Sequence, residues 1–396
     1  MPAAATPGRA LWLSMLDLIL ANKGHTPLIH FYRRRGGSVG TTEDDFFDVV
    51  RLKTALGKAL VAFYPLAGRL RPDAKGKLEI DCNGEGLPFL VARSRLTVDD
   101  FSDLKPSPRL RRLFVPLVDD SAGILWAIQV TFLKCGGVVL GTATHHGAMD
   151  GTAAFHFFRT WSAFSRDRVQ AVVNLPYHDR TRLCARNPPI FHPDALSTFF
   201  PKIILSQTPG PVVNEAFTLQ QDQVSTLEHV CGGGSVSTFS VVSAHRLPPD
   251  STTRLAFVAN IWRSMMPPLP DGYFGNALIN LSLTYIARRI RDTISRVNDE
   301  LVHSATDNRT ALGSLPVTDM RMVSWLGMPF YDLDFSWGKP LATLCAESNR
   351  RGFATCWRAR RGTAVVRVIM CIEAAVLKEF KRLFYTKFGA MTYSKF

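Results

Sequence analysis

Val49, Leu52, Leu56, Ala59 and Phe63 recur at steps of three and four, so the pattern predicts a helix over about Phe46 to Leu60 with one apolar stripe. The stretch YPLAGRL at Tyr64 to Leu70 follows, and its Pro65 and Gly68 should end that helix and turn the chain toward a strand. Two β-prone runs, Ile124 to Leu133 and Val138 to Thr144, are joined by Lys134, Cys135, Gly136 and Gly137, whose glycines supply the positive φ of a tight hairpin. The second run leads directly into His145 and His146. Beyond Gly151 the period changes, because Ala154, Phe157, Phe158, Trp161 and Phe164 form a helical stripe. The two histidines therefore stand at a strand-to-helix junction.

Asn187 to Pro201 holds four prolines and no period, which marks a crossover between two halves. Past it, Ser235 to Ala244 and Thr253 to Arg263 read as strands, Arg289 to Val302 as a helix, Thr363 to Cys371 as a strand and Glu373 to Phe384 as a helix. Strands alternating with helices in both halves predict an α/β protein. Its expected domains are residues 1–180 with HHGAMDG, a crossover loop at 181–205, and residues 206–396. No short repeat or low-complexity tract interrupts them.

Composition supports that picture. With 396 residues, 46% apolar and 20% charged, the chain can bury sizeable cores; at roughly 150 residues per domain its length suits two. Disorder and coiled coil are poor readings. The apolar run Ala10 to Ala21 lies behind Arg9 but is broken by Asp17 and lacks a small-residue cleavage pattern, so it reads as a buried segment and not a leader. No stretch reaches the roughly 18 apolar residues of a membrane span. Seven cysteines, an odd number without a C-x-x-C pair, point to a reducing compartment, so a cytoplasmic protein without a membrane partner is expected. The net charge of +14 calls for anionic partners. Arg33, Arg34, Arg35 and the group Arg288, Arg289, Arg291 could touch nucleic acid, but such runs are more often solvated surface. No recognised nucleic-acid motif accompanies them, and no nucleic-acid partner is expected.

His145 to Gly151 reads HHGAMDG. Loops at the ends of core strands present reactive side chains on a rigid scaffold, so position adds weight to an otherwise weak H-x-x-x-D match. Four roles are open to His146. It could satisfy a buried hydrogen bond, or ligate a metal with His145 and Asp150, although adjacent strand residues face opposite ways. It could serve a nucleophile, yet no G-x-S-x-G is present. It could act directly as a general base on a substrate hydroxyl or amine. The segment Cys82 to Leu90 lacks the third glycine of a dinucleotide fingerprint.

A second signature bears on the choice. Asp334 to Pro340 reads DFSWGKP, Pro267 to Asn276 reads PPLPDGYFGN, and both lie downstream of YPLAGRL and HHGAMDG in that order. On these segments the chain, from about Thr6 to Phe388, resembles the BAHD family of acyl-CoA-dependent acyltransferases, and in particular its hydroxycinnamoyl-transferase branch. The resemblance implies two chloramphenicol-acetyltransferase-like domains with a substrate channel at their interface, in a monomer. It implies transfer of an aromatic acyl group, hydroxycinnamoyl or benzoyl, from CoA to an amine or hydroxyl acceptor. Acyl-CoA would be a co-substrate, with no permanently bound cofactor and no metal. The catalytic residues it implies are His146, as general base without an acyl-enzyme, and Asp150, which holds the architecture through an arginine of the other domain. Asp334, Phe335, Trp337 and Gly338 would form a structural motif remote from the reacting atoms, and Lys339 would help to hold CoA.

Departures from the family pattern carry their own expectations. Relatives have N-x-R before PPLP; here Asn260 and Ile261 are followed by Trp262, then Arg263, so either Arg263 reaches Asp150 through a bulge or Asp150 lacks its ion-pair partner. The first strand is expected to be cut short, and the stretches after Ala244 and between Leu283 and Arg289 to be abbreviated. An impaired homologue that binds CoA thioesters or a partner without turnover is the alternative. Ser336 replaces a glycine, which matters if that backbone needs positive φ. Thr26, Leu28, His30, Trp325 and Gly327 are the acceptor-pocket candidates. Gly327 stands where relatives that use shikimate carry an arginine; glycine cannot grip a carboxylate, so an acceptor without a required carboxylate is expected.

Overall fold

The computed structural model describes residues 1–34, 46–101, 105–166, 174–190, 210–230, 237–244, 255–283, 288–307, 320–348, 352–358 and 365–386. The chain divides into two compact units, the first made of Met1–Asn187, Met266–Ala277 and Met328–Glu347, the second of Pro188–Met265, Leu278–Gly327 and Ser348–Phe396.

Along the first unit run β1 (Ala10–Trp12), α1 (Met15–Ala21), β2 (His25–Tyr32), α2 (Val49–Ala62), β3 (Arg69–Pro72), β4 (Leu78–Asp81), β5 (Phe89–Ser94), α3 (Pro108–Phe114), β6 (Trp126–Leu133), β7 (Val138–His145) and α4 (Gly151–Arg166). The second unit carries β8 (Val212–Leu219), α5 (Gln221–Val230), α6 (Thr238–Ala244), β9 (Leu255–Asn260), β10 (Leu278–Leu283), α7 (Arg288–Ser295), α8 (Asp299–Asp307) and β11 (Met320–Ser324). Then β12 (Ala342–Cys345) returns to the first unit, while β13 (Phe353–Arg358), β14 (Val366–Glu373) and α9 (Leu377–Thr386) complete the second.

The first unit is built on a five-stranded sheet in the order β12-β2-β7-β6-β5, beside a small sheet β1-β4-β3. The alternating hairpin predicted between the glycines forms as β6 and β7, paired antiparallel from Trp126↔Thr144 to Phe132↔Val138. Every residue of β7 is buried, so the strand that leads to the histidines is a core strand. The stripe of α4 packs on the neighbouring strand β6 and on α2: Phe157 and Phe158 meet Trp126 at ring distances of 4.8 and 4.9 Å, and the Trp161 indole donates to the Leu52 carbonyl of α2. The second unit is a six-stranded sheet, β10-β9-β11-β13-β14-β8, in which the neighbouring strands β9, β11 and β13 run parallel.

Three expectations change. Thr238–Ala244 is a helix and not a strand, started by Ser237, whose Oγ accepts from the Ser240 amide; short apolar runs of this kind satisfy either period. The single helix expected over Arg289 to Val302 is two, because the Asn298 side chain accepts from the Leu301 amide and caps a new start. The DFSWG segment, expected within 206–396 as part of the C-terminal domain, belongs to the first unit, since β12 pairs with β2 from Ala342↔Phe31 to Cys345↔Leu28. Most of the crossover at 181–205 and parts of the two abbreviated stretches, with Arg35, lie outside the described residues. Among those described, no helix is long and apolar enough to cross a membrane.

Candidate active site

The end of β7 sets the geometry. His25 pairs with His145 in register, and the two imidazoles meet edge to face at 5.0 Å. The chain then leaves the sheet: His146 donates its amide to the Gly24 carbonyl, and Gly147 donates to the His145 ring at Nδ1. Gly147 has to be a glycine, because a Cβ there would lie 2.9 Å from the Ala21 backbone at the end of α1. Within this run of buried residues His146 alone is part-exposed.

Its ring is held neutral. Burial and the charge of Lys23 press the imidazole well below its ordinary value, against a smaller opposing pull from its own backbone and the Asn276 side chain. Nδ1 is buried and has no partner at normal hydrogen-bond geometry.

Asp150 caps α4. Its Oδ1 accepts from the Ala153 amide at 3.0 Å and its Oδ2 from the Ala277 amide at 3.1 Å, while its own amide donates to the Gly275 carbonyl. The carboxyl thus ties the first turn of the helix to the segment that follows YFGN. Among the described residues no cation is ion-paired with it, and burial pushes the group up to about 6. Within the first unit the Asp150 carboxyl is satisfied by backbone amides.

The cation lies instead beneath the loop, on a different carboxylate. Arg180 Nη1 is 3.0 Å from Asp17 Oδ2, both side chains fully buried, and Arg180 Nη2 donates to the Ala148 carbonyl at 2.8 Å. Asp17 also accepts from the amide and hydroxyl of Ser14 and from the amide and Nδ2 of Asn276. In the sequence Asp17 reads only as an interruption of an apolar run, and nothing there singles out Arg180 or assigns a role to Asn276. A carboxylate inside a buried run, three residues after a serine, was the available signal: it closes a capping box and has to find a cation.

The second motif is a turn folded on itself. Asp334 Oδ1 accepts from the Ser336 and Gly338 amides, and φ is positive at both, 92° and 98°. Phe335 is fully buried, 4.7 Å from Trp161, and Trp337 stacks on Phe47 at 4.9 Å with Arg51 over its face. Ser336 therefore sits where a glycine is favoured; its hydroxyl accepts from Arg51 at 2.6 Å and donates to the Ser165 carbonyl. Lys339 pairs with Asp332 at 3.0 Å on the surface.

The acceptor-pocket candidates separate. Thr26, Leu28 and His30 share one face of β2, but Leu28 and His30 are buried. The His30 ring is enclosed by Thr343 Oγ1, 2.9 Å from its Nδ1, and by Phe158, and burial lowers it to about 3. Thr26 is part-exposed. Trp325 and Gly327 belong to the second unit, where Trp325 donates its amide to Cys356 and a Cβ on the exposed Gly327 would meet open space. Among the described residues no three His, Cys, Asp or Glu gather as metal ligands would.

This arrangement defines a class. The fold is that of two-domain, chloramphenicol-acetyltransferase-like acyltransferases: the crystal structure of vinorine synthase superposes with a TM-score of 0.74, at 23% identity, over 97% of this chain and 96% of that one. Residues 1–387 match the model described as the Transferase family. The chain is 36% identical to putrescine hydroxycinnamoyltransferase 1 of Oryza sativa subsp. japonica, over 96% of each. It is also 36% identical to shikimate O-hydroxycinnamoyltransferase of Nicotiana tabacum, over 86% of this chain and 87% of that one. The chain belongs to the BAHD family and is an acyl-CoA-dependent acyltransferase.

Proposed function

We propose that this enzyme transfers a hydroxycinnamoyl group from CoA to an amine or hydroxyl acceptor that carries no required carboxylate, with His146 as general base. The observation that carries the reading is a neutral, part-exposed imidazole at the end of a wholly buried strand. With Nδ1 turned inward, Nε2 takes the proton of the acceptor N–H or O–H as that atom attacks the thioester carbonyl. The tetrahedral adduct expels the CoA thiolate, and the imidazolium returns the proton to the sulfur. No acyl-enzyme forms. Asp150 keeps the loop on its helix and does not touch substrate, while Lys339 is the candidate for a CoA phosphate contact.

The relatives support the donor and the breadth of the acceptor class, for their names specify a hydroxycinnamoyl group and, respectively, an amine and a hydroxyl acid. Gly327, without a guanidinium to meet a carboxylate, favours the amine side. The enzyme is read as a cytoplasmic monomer with domains at 1–180 and 206–396, apart from the returning segments.

The test measures release of CoA thiol from p-coumaroyl-CoA with putrescine, agmatine, tryptamine and shikimate, beside His146→Ala. Turnover with an amine, abolished by that change, is expected. Shikimate as the best acceptor would overturn the acceptor reading. Thermal stabilisation by CoA with no turnover would replace the whole reading by that of an impaired homologue.

A further inference from the structure

Two buried polar atoms without partners lie on residues that already touch. Asn276 Nδ2 donates to the His146 carbonyl at 2.9 Å; Asn276 Oδ1 and His146 Nδ1 are each buried with no hydrogen-bond partner. One is an obligate acceptor, and the other is a donor in one imidazole tautomer. The orientation of the amide is not free. Both of its N–H bonds point at groups that only accept, the Asp17 carboxylate and the His146 carbonyl, so a flipped amide would set oxygen against oxygen twice. Asp17 is in turn fixed by Ser14 and by the buried Arg180, which also holds the Ala148 carbonyl two residues past His146.

We propose that Asn276 is a positioning residue for His146: its Nδ2 holds the loop backbone and its Oδ1 selects the Nδ1–H tautomer, which leaves the Nε2 lone pair for the acceptor's proton. Asp17 and Arg180 lock the amide that does so. This assignment rests on the general-base reading for its catalytic meaning, but the tautomer itself does not. The imidazole's own backbone first, and the Asn276 side chain after it, pull the ring toward proton binding, the sign expected of oxygens near Nδ1–H. Leaving both atoms buried and unpaired is costly, and the cost is greatest for an imidazolium.

Asn276→Ala is expected to lower kcat at least about tenfold, as loss of a tautomer-orienting partner does, with KM for p-coumaroyl-CoA within about threefold. The acid limb of kcat/KM should move to lower pH, since the imidazolium loses its acceptor. Loss of folded protein alone would leave that limb in place, and an unmoved limb or unchanged kcat overturns the proposal. Should the variant fail to fold, the wild-type enzyme decides: nitrogen-15 histidine spectra at pH 7.5, with His146→Ala for assignment, are expected to show His146 as Nδ1–H. An Nε2–H tautomer overturns the proposal even if His146→Ala is inactive. Persistent turnover in His146→Ala sinks the general-base reading while the tautomer still judges Asn276.

Discussion

The loop from His146 to Asp150 is held by groups that reach in from distant parts of the chain, at Gly24, Arg180, Gly275, Asn276 and Ala277. The turn from Asp334 to Gly338 closes instead on its own carboxylate and wedges two aromatic rings among Phe47 and Trp161. Both are short signatures in the sequence and both belong to the first unit. The difference lies in what is left over. The first loop satisfies its backbone from outside and keeps one imidazole part-exposed and neutral. The second hides its apolar side chains and presents Ser336 and Lys339, each engaged by a neighbour. A motif that borrows its support can offer a side chain to a substrate, whereas a motif that supports itself serves as a rivet.

Substituting each loop in turn should separate the two roles. His146→Ala is expected to lower kcat by about 100- to 10,000-fold, the range for loss of a general base, with little change in thermal melting. Phe335→Ala should do the reverse: a fully buried ring is lost at a cost of about 3–5 kcal/mol, while kcat per folded molecule stays within about threefold. Melting curves beside active-site-normalised kinetics measure both. A Phe335→Ala enzyme that melts normally but turns over slowly would erase the distinction.

Asp150 gives a pH-dependent test of the first loop. Its carboxyl titrates at about 6 in the folded chain against an ordinary 3.8, so between these values the folded state binds more protons than the unfolded one. Stability from this group therefore falls as pH rises through that window. The melting temperature of the wild type minus that of Asp150→Asn should decrease from pH 4 to pH 7, and an increase would contradict the assigned environment. The smallest effect is expected at Ser336→Gly. Relief of a left-handed residue, about 1 kcal/mol, is offset by loss of the hydroxyl's bonds to Arg51 and Ser165, of similar size, so stability should shift by less than about 1 kcal/mol.

Much of the scaffold was legible because it is local. The stripes of α2 and α4 and the hairpin of β6 and β7 each sit within a span of a few turns, where period and glycine placement carry the information. His146 at a strand-to-helix junction followed from the same reading. The segment Thr238–Ala244 defeated it because a run of seven residues fits either period until its cap is known. The His30 ring, an acceptor-pocket candidate by resemblance, packs on Phe158 in the core, a contact that the sequence of β2 does not disclose.

The sequence by itself determined the alternation of strands and helices, the apolar faces, and the chemistry on offer at HHGAMDG, because periodicity and side-chain type are properties of neighbouring residues. Only the tertiary structure decided that β12 crosses back to β2, that Arg180 answers Asp17 and not Asp150, and that Asn276 meets both Asp17 and His146. Those contacts join residues as distant in sequence as Leu28 and Cys345. Backbone pairing leaves no residue-specific trace, and a buried charge states that it needs a partner without stating which one the fold will bring.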